Sequence, residues 1–289
     1  PETGEELEAP RVYEPVPSLD DLRSRVEHKM GRFNEAHKRN AAQLVLFDDA
    51  LAHFTRVSRI LRTPRGSALL IGVGGSGKQS LTRLAAYVAD CTLFQPAVTK
   101  SYNATSLLED FKPLYRRAGV QGRGCALLFT DKEIKEESFL EYVNIFLNTG
   151  ELPNLFPRDE YDAILGDVAA VYQKLGLAEP GREPAAEDLW AFFIDRVRNN
   201  LHLVLCFSPV GEKFRSRAQK FPGLINGCTV DWFLPWPEQA LIDVARHHLD
   251  GFPQRVDGNE LRTVLHNHIK MGRPHGVRGR RMCCTHQQT

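Results

Sequence analysis

Apolar and polar positions alternate in a regular order along the central part of the chain. Short apolar runs predict buried strands, and they are separated by stretches in which apolar residues recur every three or four positions, which predict helices. This alternation favours an α/β fold, a parallel β-sheet with helices on both faces. The predicted strands are Ala68–Val73, Thr92–Gln95, Cys125–Thr130, Leu201–Ser208 and Cys228–Phe233.

The helical pattern also extends to both sides of the predicted sheet. One helix is expected to open at Ser18 and run to about Lys38, and a second carries Leu51 and Phe54 on one apolar face. Both precede the first strand. The other predicted helices are Lys78–Ala89, Ala104–Ala118, Ser138–Asn148, Glu187–Asn199, Glu212–Lys220 and Glu238–Leu249.

Turn residues and composition divide the chain into segments. Residues 1–20 are rich in proline and glutamate and are expected to form a linker. Residues 21–235 form the predicted large subdomain, in which the turn-rich residues 150–186 are expected to be an insertion at the rim of the sheet. After a Pro-Trp-Pro sequence, residues 236–270 predict the start of a small helical subdomain. The basic residues 271–289 have no apolar face and are expected to be disordered.

Composition and charge narrow the function classes. The chain has 289 residues, 42% of them hydrophobic, and 37 basic against 36 acidic side chains. This balance gives no reason to expect a nucleic-acid partner. We find no signal peptide and no apolar stretch long enough to cross a membrane, so we expect no membrane partner. The 6 cysteines form no C-x-x-C pair, which favours reduced thiols in a cytosolic compartment.

A glycine-rich loop follows the first predicted strand directly. Its sequence, GVGGSGKQS from Gly72 to Ser80, matches the phosphate-binding pattern G-x-x-x-x-G-K-[ST] except at the last position. Backbone N–H groups of such a loop and the positive end of the next helix bind phosphate oxygens. The loop therefore predicts binding of a nucleoside polyphosphate. Its candidate binding residues are Gly72, Gly74, Gly75, Ser76, Gly77, Lys78, Gln79 and Ser80.

The residues that hydrolysis of a nucleotide requires are less complete than those that bind its phosphates. Gln79 occupies the position whose hydroxyl normally holds Mg²⁺, and Ser80 lies about 100° further round the helix. The Mg²⁺ ligands are therefore expected to be Gln79 or Ser80 together with Asp131, an acid at the end of a neighbouring strand. An active site of this type normally has two consecutive acids, but here Lys132 follows, and Glu133 is only a weak candidate for a catalytic base. We expect binding with weak or no hydrolysis.

Two further features follow the fourth predicted strand. Ser208 ends this strand where a side chain that senses the γ-phosphate would lie, and its hydroxyl can donate one hydrogen bond. Arg215 and Arg217 lie in the next predicted helix. Ring-forming ATPases present an arginine from this region to a neighbour's γ-phosphate. The alternative is that both are solvated surface arginines.

Three segments together resemble axonemal dynein heavy chains, and specifically their fourth AAA+ module. They are Gly72–Leu81, Phe139–Phe156 and Leu205–Gly211. The resemblance implies an AAA+ fold, ATP or ADP with Mg²⁺ as cofactors, and a motor that moves along microtubules in the axoneme of cilia and flagella. It also implies partners: neighbouring AAA+ modules of the same heavy chain, and dynein intermediate and light chains and microtubules through the parent protein.

The resemblance also implies individual residue roles. Val45, Leu46 and Phe47 would lie near the adenine base. Arg217 best matches the arginine offered to the site of the third module. Gln79 is typical of axonemal versions of this module, whose nucleotide site is expected to be regulatory. Two alternatives stay open, an active ATPase module and a stand-alone P-loop kinase or transferase, which would need a lid and an acceptor pocket.

Overall fold

The computed structural model describes residues 14–38, 41–42, 44–178, 184–210 and 212–250. The predicted basic tail and most of the predicted linker lie outside these residues. The structure divides into two units, one ending at Pro235 and the other beginning at Trp236. Of the second unit, the described part contains the helix Glu238–Asp250.

A five-stranded parallel sheet forms the centre of the first unit, with the strand order β2-β3-β4-β1-β5. The predicted α/β fold is therefore confirmed, and each predicted strand is present with its ends shifted by at most one residue. The strands are β1 (Ala68–Gly72), β2 (Thr92–Phe94), β3 (Cys125–Thr130), β4 (Leu201–Phe207) and β5 (Thr229–Phe233).

Helices cover both faces of this sheet, as the alternation of strand and helix patterns predicts. In the described residues, the helix Ala104–Tyr115 continues into a π-helical turn, Arg116–Val120. The α-helices are α1 (Leu19–Ala36), α2 (Asp48–Arg62), α3 (Lys78–Val88), α4 (Ala104–Tyr115), α5 (Ser138–Thr149), α6 (Arg158–Lys174), α7 (Ala186–Asn200), α8 (Glu212–Lys220), α9 (Gly223–Asn226) and α10 (Glu238–Asp250).

The central strands are apolar along their whole length because both of their faces are covered. Every residue of β1, β3 and β4 is buried, as expected for a parallel sheet between two helical layers. On one face, Leu70 and Leu128 pack with apolar residues of α1, α2 and α3. On the other face, Leu69 and Leu127 pack with apolar residues of α4 to α7. The sheet is thereby a rigid base for the loops at its carboxyl edge.

The turn-rich segment 150–186, which the sequence predicts to be an insertion at the rim, contains a long helix. This helix is the 17-residue α6. Ile164 and Val168 of this helix are buried in the same apolar cluster as Phe193 of α7. Their spacing of four places both side chains on one face of α6. This part of the segment is therefore a component of the core.

Candidate functional site

The site lies at the carboxyl edge of the sheet, where three neighbouring strands end. The strand order places β1 between β4 and β5, with β3 on the far side of β4, so the segments that follow β1, β3 and β4 meet at one edge. They enclose a pocket of about 340 Å³. Its lining consists of Gly72, Gly74, Gly75, Ser76, Gly77, Lys78, Gln79, Ser80, Arg83, Thr130, Asp131, Lys132, Cys206, Phe207 and Ser208.

The glycines of the loop serve two different physical purposes. Gly72 is a close-packing position, because a Cβ there would lie 2.6 Å from Cβ of Phe233 on β5. Gly75 and Gly77 have φ angles of +81° and +87°, a region that L side chains rarely adopt. A Cβ at Gly74 or Gly75 would meet no atom within 4 Å. The loop backbone therefore faces open space and can closely approach a phosphate.

The two uses of glycine lead to a stability prediction. We expect Gly72→Ala to lower the free energy of unfolding by about 1–3 kcal/mol, the usual cost of overpacking a filled site. Gly74→Ala is the matched control, and it should change stability by no more than about 0.5 kcal/mol, as for most open positions. Urea unfolding of the two variants measures the difference. Equal stability of the two variants would contradict the close-packing role of Gly72.

Lys78 begins α3 and turns back over the loop. Its Nζ donates hydrogen bonds to the carbonyl oxygens of Gly72 at 2.7 Å and Val73 at 2.8 Å, and to Oγ of Ser76 at 2.9 Å. Burial lowers the pKa of this ammonium group from its ordinary value. The positive N-terminal end of α3 adds to the field of the ammonium group at the same point. The ammonium group itself and the helix end both favour an anion in front of the loop.

The acid at the end of β3 has a donor on each oxygen. Oδ2 of Asp131 accepts the backbone N–H of Ser208 at 2.7 Å, and Oδ1 accepts a hydrogen bond from Nη1 of Arg217 at 2.6 Å. The predicted site residues Asp131 and Ser208 are thus brought together in the pocket lining. Ser208 meets the acid through its backbone N–H, which sequence reasoning did not indicate.

Glu133 is turned away from the pocket. One of its carboxylate oxygens accepts hydrogen bonds from the backbone N–H and the hydroxyl of Thr130, and the other accepts from Nε2 of Gln95 at 3.1 Å. Its side chain is buried, and Glu133 is not part of the pocket lining. The position of Glu133 therefore gives no support to its predicted role as a catalytic base.

The remaining predicted residues separate into two groups. Gln79 and Ser80 line the pocket, as expected from the loop sequence. Val45, Leu46 and Phe47 do not line it. Leu46 is buried in the apolar cluster beneath α1 and α2, and Phe47 is the residue that precedes α2. The role of these three residues near an adenine base stays a prediction.

The two arginines of α8 point in different directions. Arg215 is exposed, whereas Arg217 is buried against Asp131 and Phe207 of its own unit. Two residues correspond to about 200° of rotation along an α-helix, which explains the difference. Arg215 is consequently the more accessible of the two for contact with a neighbour.

Five residues of the lining were not among the predicted site residues: Arg83, Thr130, Lys132, Cys206 and Phe207. Arg83 lies four residues after Gln79, so helical spacing could have placed both on one face of α3. Lys132, which follows β3, adds a further cation to the lining. Cys206 contributes a thiol whose pKa is raised to about 12 by burial, so it is a neutral group in the lining.

The predicted magnesium ligands Gln79, Ser80 and Asp131 all line the pocket, but the carboxylate among them is already paired. Mg²⁺ is usually held by one or two carboxylates together with substrate phosphates and water. Asp131 is the acid in this lining, and it is already paired with a guanidinium group. Gln79 supplies no hydroxyl, and Ser80 supplies one to the lining. The donor set fits phosphate, and its one carboxylate is already neutralised by a guanidinium group.

A phosphate-binding loop after β1 at the carboxyl edge of a five-stranded parallel sheet, with an acid after β3 on the other side of β4, defines an AAA+ P-loop domain. Comparison with known families agrees with this class. The model of the family "P-loop containing dynein motor region D4" matches residues 42–273. The chain belongs to this family, and the resemblance predicted from its sequence is confirmed.

The relatives are axonemal dynein heavy chains. The chain is 53% identical over 253 residues to dynein axonemal heavy chain 5 of Mus musculus, which covers 87% of this chain and 5% of the relative. It is 49% identical over 255 residues to dynein axonemal heavy chain 8 of Homo sapiens, which covers 86% of this chain and 6% of the relative. The dynein gamma chain of the flagellar outer arm of Chlamydomonas reinhardtii is 46% identical over 266 residues, covering 90% and 6%.

The chain thus spans only a small part of the length of these relatives. The location they indicate is the cytoskeleton of the cilium or flagellum, in the axoneme, as the sequence predicts. Among the described residues, no helix is both long and apolar enough to cross a bilayer.

Proposed function

We propose that this chain is a nucleotide-holding regulatory module of an axonemal dynein heavy chain, and that it binds ATP or ADP with weak or no hydrolysis. The family supports binding of a nucleotide by the P-loop. The open backbone of the loop and the ammonium group of Lys78 support a phosphate as the part of the ligand that is held there.

The observation that carries the regulatory role is the placement of the acids. Hydrolysis requires a base that activates water close to the γ-phosphate. Glu133 is engaged by Thr130 and Gln95, and the residue next to Asp131 is a lysine. Asp131 itself is paired with Arg217. The pocket therefore has the groups that bind phosphates and lacks a carboxylate that is available as a base.

The proposed partners are those that the resemblance to axonemal dynein heavy chains implies. In this proposal the module contacts neighbouring AAA+ modules of its own heavy chain, and the parent protein contacts microtubules and dynein intermediate and light chains. The nucleotide in this module would then change how its neighbours respond to their own nucleotides. Arg215, which is exposed on α8, is the candidate for contact with the site of a neighbouring module.

Single-turnover hydrolysis of ATP by the chain tests the proposal. We expect ATP and ADP to bind, and we expect the rate of ATP cleavage to equal that of the Lys78→Ala variant, which lacks the ammonium group of the loop. A rate clearly above that of the variant would instead support an active ATPase module. A chain that binds no adenine nucleotide would contradict the proposal in both forms.

The third alternative, a stand-alone kinase or transferase, is not favoured by any observation in the described residues. Membership of the dynein motor family accounts for the loop and the acid strand together.

A further inference from the structure

Arg217 is held inside the nucleotide pocket's own unit by two elements of the sheet. Its side chain is only 10% exposed, and Nη1 lies 2.6 Å from Oδ1 of Asp131 at the end of β3. The guanidinium carbon lies 5.7 Å from the ring centroid of Phe207 at the end of β4. These contacts fix the position of a positive charge directly behind the acid of the pocket.

This guanidinium group compensates the charge of the carboxylate. Oδ1 of Asp131 accepts from Arg217, while Oδ2 accepts the backbone N–H of Ser208. A divalent cation beside this carboxylate would lie close to a fixed positive charge in a partly buried site, where repulsion between like charges is screened less than in water. The pair therefore disfavours metal at the position where a P-loop acid normally helps to hold it.

The rest of the lining can neutralise phosphates without a metal ion. Lys78, Arg83 and Lys132 contribute cations to the pocket, and Asp131 is the acid that faces them. Nη2 of Arg83 donates to Oε1 of Gln95 at 2.6 Å, which anchors its guanidinium group at the pocket wall. Charge-assisted hydrogen bonds from such groups are the strong ones for phosphate oxygens.

We infer that Arg217 is the resident cation of this site, a positioning residue whose guanidinium group takes the place of a divalent cation at Asp131, so that the module binds nucleotide with little dependence on Mg²⁺. This inference rests on the nucleotide binding proposed above and deepens it. The nucleotide is held whatever the concentration of free Mg²⁺, which suits a regulatory site that keeps its ligand.

Calorimetric titration of the full 289-residue chain with ADP, in excess Mg²⁺ and in excess chelator, tests the inference. For the unmodified chain we expect the two Kd values to agree within about threefold, because the metal adds less than one charge-assisted hydrogen bond. In Arg217→Met the carboxylate loses its cation, and we expect Mg²⁺ to tighten binding of ADP by about tenfold or more. Methionine keeps an unbranched apolar side chain against Phe207.

Two controls separate the role of Arg217 in the site from a role in folding. Arg215→Met removes the exposed arginine of the same helix and should leave the response to Mg²⁺ as in the unmodified chain. Arg217→Lys keeps a cation, and its binding of ADP should again be independent of Mg²⁺. If Arg217 had only a structural role, Arg217→Met would change ADP binding equally with and without Mg²⁺.

The possible failures can be distinguished. Strong dependence on Mg²⁺ in the unmodified chain overturns the inference alone, and this measurement decides the question even if Arg217→Met does not fold. Equal responses to Mg²⁺ in the unmodified chain and a folded Arg217→Met variant also overturn it. Absence of ADP binding in every condition overturns the inference together with the proposed function.

Discussion

Replacement of Lys78 by alanine should weaken the binding of ADP and ATP by about 100-fold. The ammonium group lies at the mouth of the loop, where three oxygens of Gly72, Val73 and Ser76 hold it at hydrogen-bond distance. A bound phosphate is a charged acceptor, and it would accept hydrogen bonds from this ammonium group in place of some of these oxygens. A hydrogen bond to a charged group contributes about 1.5–3 kcal/mol, and about 1.4 kcal/mol corresponds to a tenfold change in Kd. Loss of one or two such bonds gives the expected change.

The matched control is Lys213→Ala, which removes an exposed lysine from α8 and changes the net charge by the same amount. Calorimetric titration with ADP compares the two variants. If the Kd of Lys78→Ala lies within about threefold of the control, the difference is smaller than one charge-assisted hydrogen bond contributes. That result would show that the ligand is not held through this loop. The thermal unfolding of both variants, measured in the absence of nucleotide, checks that each is folded.

The phosphate loop and the sheet could be predicted from the sequence because both depend on local patterns. Buried parallel strands are continuous apolar runs, and β1, β3 and β4 stand out for that reason. Glycines at fixed spacing before a lysine have few other uses. The alternation of strands with helices predicts a parallel sheet whose carboxyl ends share one edge, but it does not give the order of the strands.

Helix α6 was missed because turn residues at both ends hid a short helical pattern. Gly150 and Pro153 precede it, Gly176 follows it, and Gly166 interrupts its interior. Ile164, Leu165, Val168 and Tyr172 recur at helical spacing, and this was the signal that could have revealed the helix. Tertiary packing against α7 stabilises this helix, and the sequence does not record that contact.

The directions of the two arginines on α8 depend on a contact that the sequence only suggests. Phe214 is partly buried against the main apolar cluster, and Arg217 lies three residues later, on the same face of the helix. That spacing favours an inward Arg217 and an outward Arg215. The partner of Arg217 is 86 residues away in the chain, so the ion pair with Asp131 could be found only in the structure.

The direction of the Glu133 side chain could not be predicted from the sequence either, although its partner is close in the chain. It lies three residues after Thr130, and the chain between them turns so that the carboxylate accepts the N–H and the hydroxyl of Thr130. Both a catalytic base and a turn-stabilising acid would have the same sequence. The direction of one side chain decides between them.

A buried carboxylate on the edge strand β5 holds this strand to helix α2. Asp231 is 1% exposed, and Oδ2 accepts a hydrogen bond from Nδ1 of His53 at 2.8 Å. Oδ1 accepts from Nη1 of Arg56. The ring of His53 stacks on Phe233 with centroids 3.9 Å apart. Since β5 is paired on one side only, these side chains provide part of what fixes it to the rest of the unit.

Asp231→Ala should therefore lower the free energy of unfolding by about 2–4 kcal/mol, because it removes two charge-assisted hydrogen bonds and leaves His53 without an acceptor in a mostly buried position. Asp195→Ala is the control. This residue is 50% exposed and pairs with Arg65, so its loss should cost no more than about 1 kcal/mol. Urea unfolding measures both. A similar, small cost for the two variants would show that the link between α2 and β5 depends on apolar packing alone. A large cost for Asp231→Ala should be accompanied by non-additivity with Arg56→Met, because both substitutions remove the same ion pair.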